Sequence, residues 1–424
     1  ERLRGLSPEA IRCVGTSALR VARNAEEFLP KAEIALGHPI EIVAGREEAR
    51  LIYLGVAHSL TASPDRRLVV DIGGGSTEFI IGTGLKPHER ESLHMGCVNF
   101  SKRFFADGAI DKGTLKVAEM AARVEVERIA RGFSRNNWQQ AVGSSGTARA
   151  LREILEQNGW SAGGITADGL AKLRSQLVKA GHVDALELAG LVRDRRPVIA
   201  GGFAIMAGLF AELDIEQMDV AETAMREGIL YDLLGRFHKQ DMREATVDEF
   251  MRRYHIDTQQ AARVKRVSLK LLAACGVRDE NAERYLDWAA RLHEIGLSVS
   301  HGGYHRHSGY ILENADMPGF SRTEQARLAL LARTQRGALL KLPDFASGAV
   351  PESDRRLVWL LRQAVILCRS RAEPRLPAVK AETNGKRFRL TLPEGWLQRR
   401  PLTQRALEEE AVHWSAIGIK YSFA

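Results

Sequence analysis

The residues best suited to chemistry form one stretch, Asp71-Ile72-Gly73-Gly74-Gly75-Ser76-Thr77-Glu78, between two apolar runs that read as strands. Three successive glycines let backbone N–H groups converge on one anion without interference from Cβ atoms. Ser76 and Thr77 add hydroxyl donors, and Asp71 and Glu78 flank the turn. A carboxylate beside a phosphate cradle is what a Mg2+ ion requires, because this hard cation takes oxygen ligands and bridges to phosphate. The stretch lacks the Gly-Lys-Ser/Thr ending of a Walker A loop and the G-x-G-x-x-G spacing of a dinucleotide-binding turn. An ordinary hairpin would use the same glycines. A second stretch, Gly45-Arg46-Glu47-Glu48-Ala49-Arg50, follows a strand-like run and opens a helix. The helix macrodipole favours acids there, and a carboxylate at a strand end can position and deprotonate a water. In a third, Gly143-Ser144-Ser145-Gly146-Thr147, a strand again gives way to a helix, a junction whose amides suit phosphate. Arg226, at the start of another helix, is a candidate anion contact.

The elements that must position these residues alternate up to about Gly235. Ile11 to Val14, Ile40 to Val43, Leu68 to Ile72, Phe79 to Ile81 and Ala141 to Val142 read as strands separated by helices, an α/β pattern. Leu115, Ala118, Ala122, Val126, Ile129 and Phe133 recur at helical spacing after Thr114, the expected N-cap. A second helix is expected over Phe203 to Leu213, after the Gly201-Gly202 pair. From Thr246 to about Ser370 the periodicity is helical without a strand, as in Tyr285, Trp288, Ala289, Leu292 and Ile295. Glu373-Pro374-Arg375-Leu376-Pro377 reads as a linker. Strand-like runs at Ala378 to Glu382 and Phe388 to Leu392 follow, joined by Asn384-Gly385, which predicts a type I′ hairpin, and then a helix through Glu408 to Trp414.

The chain has 424 residues, 45% hydrophobic and 27% charged, which excludes a mostly disordered polymer. Its longest apolar run, Val198 to Ala211, is 14 residues, short of the ~20 that span a bilayer. Four scattered cysteines form no C-x-x-C pair, and the opening Glu1-Arg2-Leu3-Arg4 carries no apolar leader, so a cytoplasmic location is expected. The net charge is +8, and residues 351–424 hold 14 Lys and Arg against 8 Asp and Glu. Such an excess attracts polyanions, with peripheral contact to a membrane surface left open. No recognisable module for specific nucleic-acid binding is present.

Thr16-Ser17-Ala18-Leu19-Arg20 with Asn24, the Glu47-Glu48 stretch, Asp71 to Glu78, Met95-Gly96-Cys97-Val98, Ser145-Gly146-Thr147, Gly201 to Ile205 and Arg226-Glu227-Gly228 resemble, in order, the exopolyphosphatase / guanosine pentaphosphate phosphohydrolase family. The match continues through Leu292-His293-Glu294-Ile295-Gly296 and His305-Arg306-His307-Ser308. The resemblance implies an actin/hexokinase-like module of two ribonuclease-H-like halves with the site in their cleft, residues 1–51 completing the first half and 52–235 forming the second. An all-α domain similar to the HD phosphohydrolases (236–372) and a small α+β domain (373–424) follow. The family's opening phosphate loop, Asp-x-Gly-Ser-Asn-Ser, has no counterpart, which predicts that roughly the first eighty family residues are absent and that this stretch alone carries half a phosphate clamp.

By the same resemblance Glu48 is the catalytic base, and Asp71 and Glu78 organise water and hold Mg2+, with a K+ requirement left open. Gly73, Gly74, Gly75, Ser76, Thr77, Gly143, Ser145, Gly146 and Thr147 bind phosphate. Arg20, Arg46, Arg226, His305, Arg306 and His307 contact the polymer. The expected reaction is Mg2+-dependent hydrolysis of the terminal phosphoanhydride of inorganic polyphosphate by a homodimer. Hydrolysis of guanosine pentaphosphate is the alternative, and the Gly-Gly-Gly-Ser form of the loop favours the polymer. A non-catalytic polyanion- or nucleotide-binding regulator is a third reading. The HD-like pair is His293-Glu294 rather than His-Asp, so a metal set drawn from His255, His301, His305, His307 and Asp316 is disfavoured.

Overall fold

A computed structural model describes residues 6, 10–61, 63–237, 241–373, 376 and 378–424. The opening Glu1-Arg2-Leu3-Arg4 and, in the expected linker, Pro374, Arg375 and Pro377 lie outside the described residues. The chain divides into two compact units, Glu1–Met242 and Arg243–Ala424.

The first unit is built around central strands whose residues are buried on both faces, as a sheet covered by helices on each side demands. Two short strands, β1 (Cys13–Gly15) and β2 (Ile40–Ile42), pair in parallel. The main sheet contains β3 (Arg67–Ile72), β4 (Thr77–Thr83), β5 (Lys86–Leu93), β6 (Gln140–Ser144), β7 (Ile165–Thr166) and β8 (Gln217–Val220), in the order β5-β4-β3-β6-β8-β7. The β3-β4-β5 meander is antiparallel, whereas β6 and β8 join it in parallel. Side chains alternate along a strand. Leu68, Val70 and Ile72 therefore face the core that includes Leu115, Ala118, Phe203 and Met206. Val69, Ile80 and Val142 face the other way, against Ala49, Ile52, Tyr53 and Val56 of the helix Gly45–Ser59.

Local details depart from the sequence pattern. The helix predicted to be capped by Thr114 begins earlier, at Lys112, with Asp111 as N-cap accepting from the amides of Gly113 and Thr114. The second predicted helix starts before its glycine pair and spans Ile199–Glu212. Its Gly201 touches Ser101 and Cys97 so closely that the missing side chain is a helix-contact requirement, not a break. Among the described residues no helix is long and apolar enough to cross a membrane.

In the second unit, helices from Met242–Arg253 to Glu352–Leu367 enclose Trp288 and Trp359. Strands β9 (Lys380–Thr383), β10 (Arg387–Thr391) and β11 (Lys420–Phe423) form a small sheet ordered β11-β10-β9. Phe388 and Trp414 from this C-terminal segment share the core with Trp359, so residues 243–372 and 373–424 bury one common interior. The Asn384-Gly385 hairpin forms without the predicted type I′ turn. Thr383 pairs with Phe388, leaving a longer loop, and of the Asn-Gly pair only Gly385 has a positive φ, 74°.

Candidate active site

The strand register assembles a polar row at one end of the first sheet. Asp71 on β3 lies opposite Glu78 on β4 and beside Ser144 on β6, and Glu78 lies opposite Ser92 on β5. By alternation from Val69, Ile80 and Val142, this row faces the helix Gly45–Ser59. That helix sets Ala49, Ile52 and Val56 on the sheet, which places its first turn, carrying Glu48, over the acids. Gly45 fixes the approach, since a Cβ there would fall 2.6 Å from the Cβ of Ser92.

Each carboxylate is buried and differently held. Asp71 accepts from the Ser144 hydroxyl at 2.6 Å, and Glu78 from the Ser92 hydroxyl at 2.8 Å. Glu48 accepts from Arg20 Nη1 at 2.8 Å, and the same nitrogen donates to the Val43 carbonyl. Burial raises the pKa of all three, opposed at Glu48 chiefly by Arg20 and at Asp71 by its hydroxyl partners. Glu78 is pushed up to about 8 by burial and then by the charge of Glu48.

Beside the acids, the glycine loop has its carbonyls engaged and most of its amides not. The Gly73 carbonyl accepts from Cys97 N–H at 2.9 Å, and that of Gly74 from Val98 and Asn99 at 3.1 and 3.3 Å, at the start of the helix Cys97–Phe104. Gly73 N–H is spent on the Ser76 carbonyl, whereas the amides of Gly74, Gly75 and Ser76 make no backbone hydrogen bond among the described residues. This is the donor-only surface that an anion-binding nest requires. Gly96 permits the arrangement, because a Cβ there would sit 2.3 Å from the Gly74 carbonyl oxygen.

The other expected contacts divide. Thr77 is fully buried and donates to the Met95 carbonyl at 2.6 Å, so its hydroxyl holds the loop in place. Gly143 packs between Ala148 and Met218, and buried Thr147 packs against Gly202. Ser145 adopts a left-handed φ of 66° and donates to the Ile72 carbonyl, joining the third stretch to β3. Arg46 pairs with Glu91, and Arg226 is exposed on the helix Met225–Phe237. His305, Arg306 and His307 belong to the second unit, on the helix Tyr304–Asn314. His293 Nδ1 there bonds the Ala290 carbonyl and Glu294 pairs with Arg371; no group of three metal-ligating side chains gathers among the described residues.

Sequence reading missed the support beneath this site. Glu47 turns away from Glu48 into a buried cluster with Arg50, at 2.8 and 2.9 Å; Arg50 also reaches Asp232, as does Arg12. Arg195 was missed too, and its guanidinium covers Gly146 at the start of the helix Ser145–Gln157. The run Arg193-Asp194-Arg195-Arg196 ahead of Pro197 was the signal available.

With this geometry in hand, the chain was compared with known proteins. The family model described as Ppx/GppA phosphatase family matches residues 1–237, and the one described as Ppx/GppA phosphatase, domain III, matches residues 242–411. The chain belongs to the Ppx/GppA phosphatase family. Among solved structures, an exopolyphosphatase from Cytophaga hutchinsonii is 23% identical over 53% of this chain and 74% of its own, with a TM-score of 0.47. A Ppx/GppA enzyme from Aquifex aeolicus is 28% identical over 52% of this chain and 74% of its own, with a TM-score of 0.44.

Proposed function

We propose that this chain hydrolyses the terminal phosphoanhydride of inorganic polyphosphate. The observation that carries the reading is the placement of three free amides, Gly74, Gly75 and Ser76, beside three buried carboxylates that come from three separate elements. The terminal phosphate rests on those amides, with Arg195 a second source of donors. Glu48 orients the attacking water and takes its proton, and Arg20 holds Glu48 in place. Phosphoryl transfer needs positioning and charge stabilisation more than covalent help, which is what this set offers.

The donor set fits Mg2+. Asp71 and Glu78 supply hard oxygen ligands with hydroxyl partners only, and Mg2+ is commonly held by one or two carboxylates together with waters and substrate phosphates. When bound, the ion supplies charge neutralisation on the phosphate being released. In the same reading the first unit is the actin-like phosphatase part, the second is HD-like, and the working assembly is a cytoplasmic homodimer.

The test is phosphate release by the full-length chain from long-chain polyphosphate and from guanosine pentaphosphate, with Mg2+ titrated in. The expected result is a higher kcat/KM for the polymer. A preference for the nucleotide would reassign the substrate, and binding of either without turnover would replace the enzyme by a polyanion- or nucleotide-binding regulator.

A further inference from the structure

The second unit holds an open cavity of about 790 Å3, lined in part by His305, that contains none of the carboxylates or loop amides of the proposed reaction. Its volume lies within the range of small-molecule sites. The carboxylates in its wall are matched: Glu294 pairs with Arg371 at 2.7 Å, Glu410 takes Arg362 through both oxygens, and Glu409 pairs with Arg405 at 3.2 Å. Two further arginines line the cavity with no carboxylate partner among the described residues. Arg336 lies over the Tyr304 ring, 5.2 Å from its centroid, and Arg369 donates to the Leu402 carbonyl at 2.6 Å. His301, His305 and His413 add ring nitrogens. Arg371, also in the wall, is held at a left-handed φ of 55° by Asp257 and Glu294. Backbone strain of this kind persists where the surroundings over-determine it, and it concentrates at ligand clamps.

The rest of the lining is aliphatic, from Leu297, Val365, Ile366 and Ala406. Guanidinium groups without a carboxylate select phosphate, which they bind in forked geometry. A bare chain of phosphates, however, gains nothing from aliphatic walls, whereas an organic body does. We infer that this cavity binds a phosphorylated organic molecule of nucleotide size, its phosphate at Arg336 and Arg369 and its body against the aliphatic side chains.

Isothermal titration of the full-length chain with ADP, GDP, adenosine and pyrophosphate tests this. A nucleoside diphosphate is expected to bind about tenfold or more tightly than either pyrophosphate or adenosine. Arg336→Ala combined with Arg369→Ala is expected to weaken that binding by at least about tenfold. Ala406→Phe, which fills the space without touching a charge, abolishes it and guards against misreading a folding defect, as does an unchanged melting temperature of the free variants. Glu48→Gln leaves the binding intact, so loss of hydrolysis and loss of this site are separable. Equal affinity for pyrophosphate, no binding of either nucleotide, or binding indifferent to the cavity substitutions would each overturn the inference.

Discussion

The candidate site of the first unit and the interior of the second treat buried acids in opposite ways. In the second unit, buried Glu294 and Glu410 each meet an arginine, and His293 is tied to a backbone carbonyl. In the candidate site, among the described residues, Asp71 and Glu78 take hydrogen bonds from serine hydroxyls and of the three acids Glu48 alone forms an ion pair with a guanidinium. Neutralising every buried acid makes a wall that can present spare arginines. Leaving two without an arginine keeps their oxygens open to the cation proposed above. The contrast teaches that structural acids in both units, Glu47 and Asp232 included, are matched by arginine while two acids of the candidate site are not, since unpaired buried charge is costly unless something arrives to match it.

Several substitutions can break or sharpen this contrast. The largest effect is expected from Glu48→Gln, which keeps the Arg20 contact but removes the base; phosphate release should fall about 10²- to 10⁴-fold at an unchanged circular dichroism spectrum. Loss within tenfold would remove Glu48 from the chemistry. Gly96→Ala comes next. Its methyl collides with the Gly74 carbonyl and must shift the loop, and a displacement near 1 Å can cost about 10²-fold in kcat. A wild-type rate in that variant would detach the loop from catalysis.

Asp232→Ala tests the scaffold and not the chemistry. It takes one carboxylate from Arg12 and Arg50, which keep Glu41 and Glu47, and breaking such buried pairs is worth up to about 3–5 kcal/mol, to be read by chemical denaturation of the first unit. The smallest effect concerns pH. Burial lowers the pKa of His293, so the folded second unit keeps it neutral while the unfolded chain takes up a proton below pH ~6.5. Stability is therefore expected to fall as pH drops through that value, by at most about 1.4 kcal/mol per pH unit for this one group. Tryptophan fluorescence can follow it, because Trp288, Trp359, Trp396 and Trp414 lie in this unit, and the slope should flatten in His293→Leu.

What was legible in the sequence was local. Asp71 and Glu78 flank one short glycine turn, so a hairpin alone pairs them, and β3, β4 and β6 announce themselves by apolar runs. The edge strand β5 was hidden because Lys-Pro-His-Glu-Arg-Glu-Ser-Leu is charged and largely exposed, as edges often are. The choice between Glu47 and Glu48 was settled by resemblance alone. In the structure Asp232, nearly two hundred residues away, holds Arg50, and Arg50 holds Glu47 aside from Glu48. Long-range ion pairs of that sort leave no periodic trace.

The helix Gly45–Ser59 also acts as a ruler. Gly55 is pinned where its backbone meets Ala224 and Gly228, leaving no room for even a methyl group. Seven residues separate it from Glu48, just under two turns and about 10 Å of axial rise. One residue inserted between them would swing the base by about 100° around the axis. If Glu48 is the base proposed above, the spacing from it to Gly55 belongs to the site as much as the carboxylate does, and a graft onto another scaffold would have to carry the anchor along with the acid.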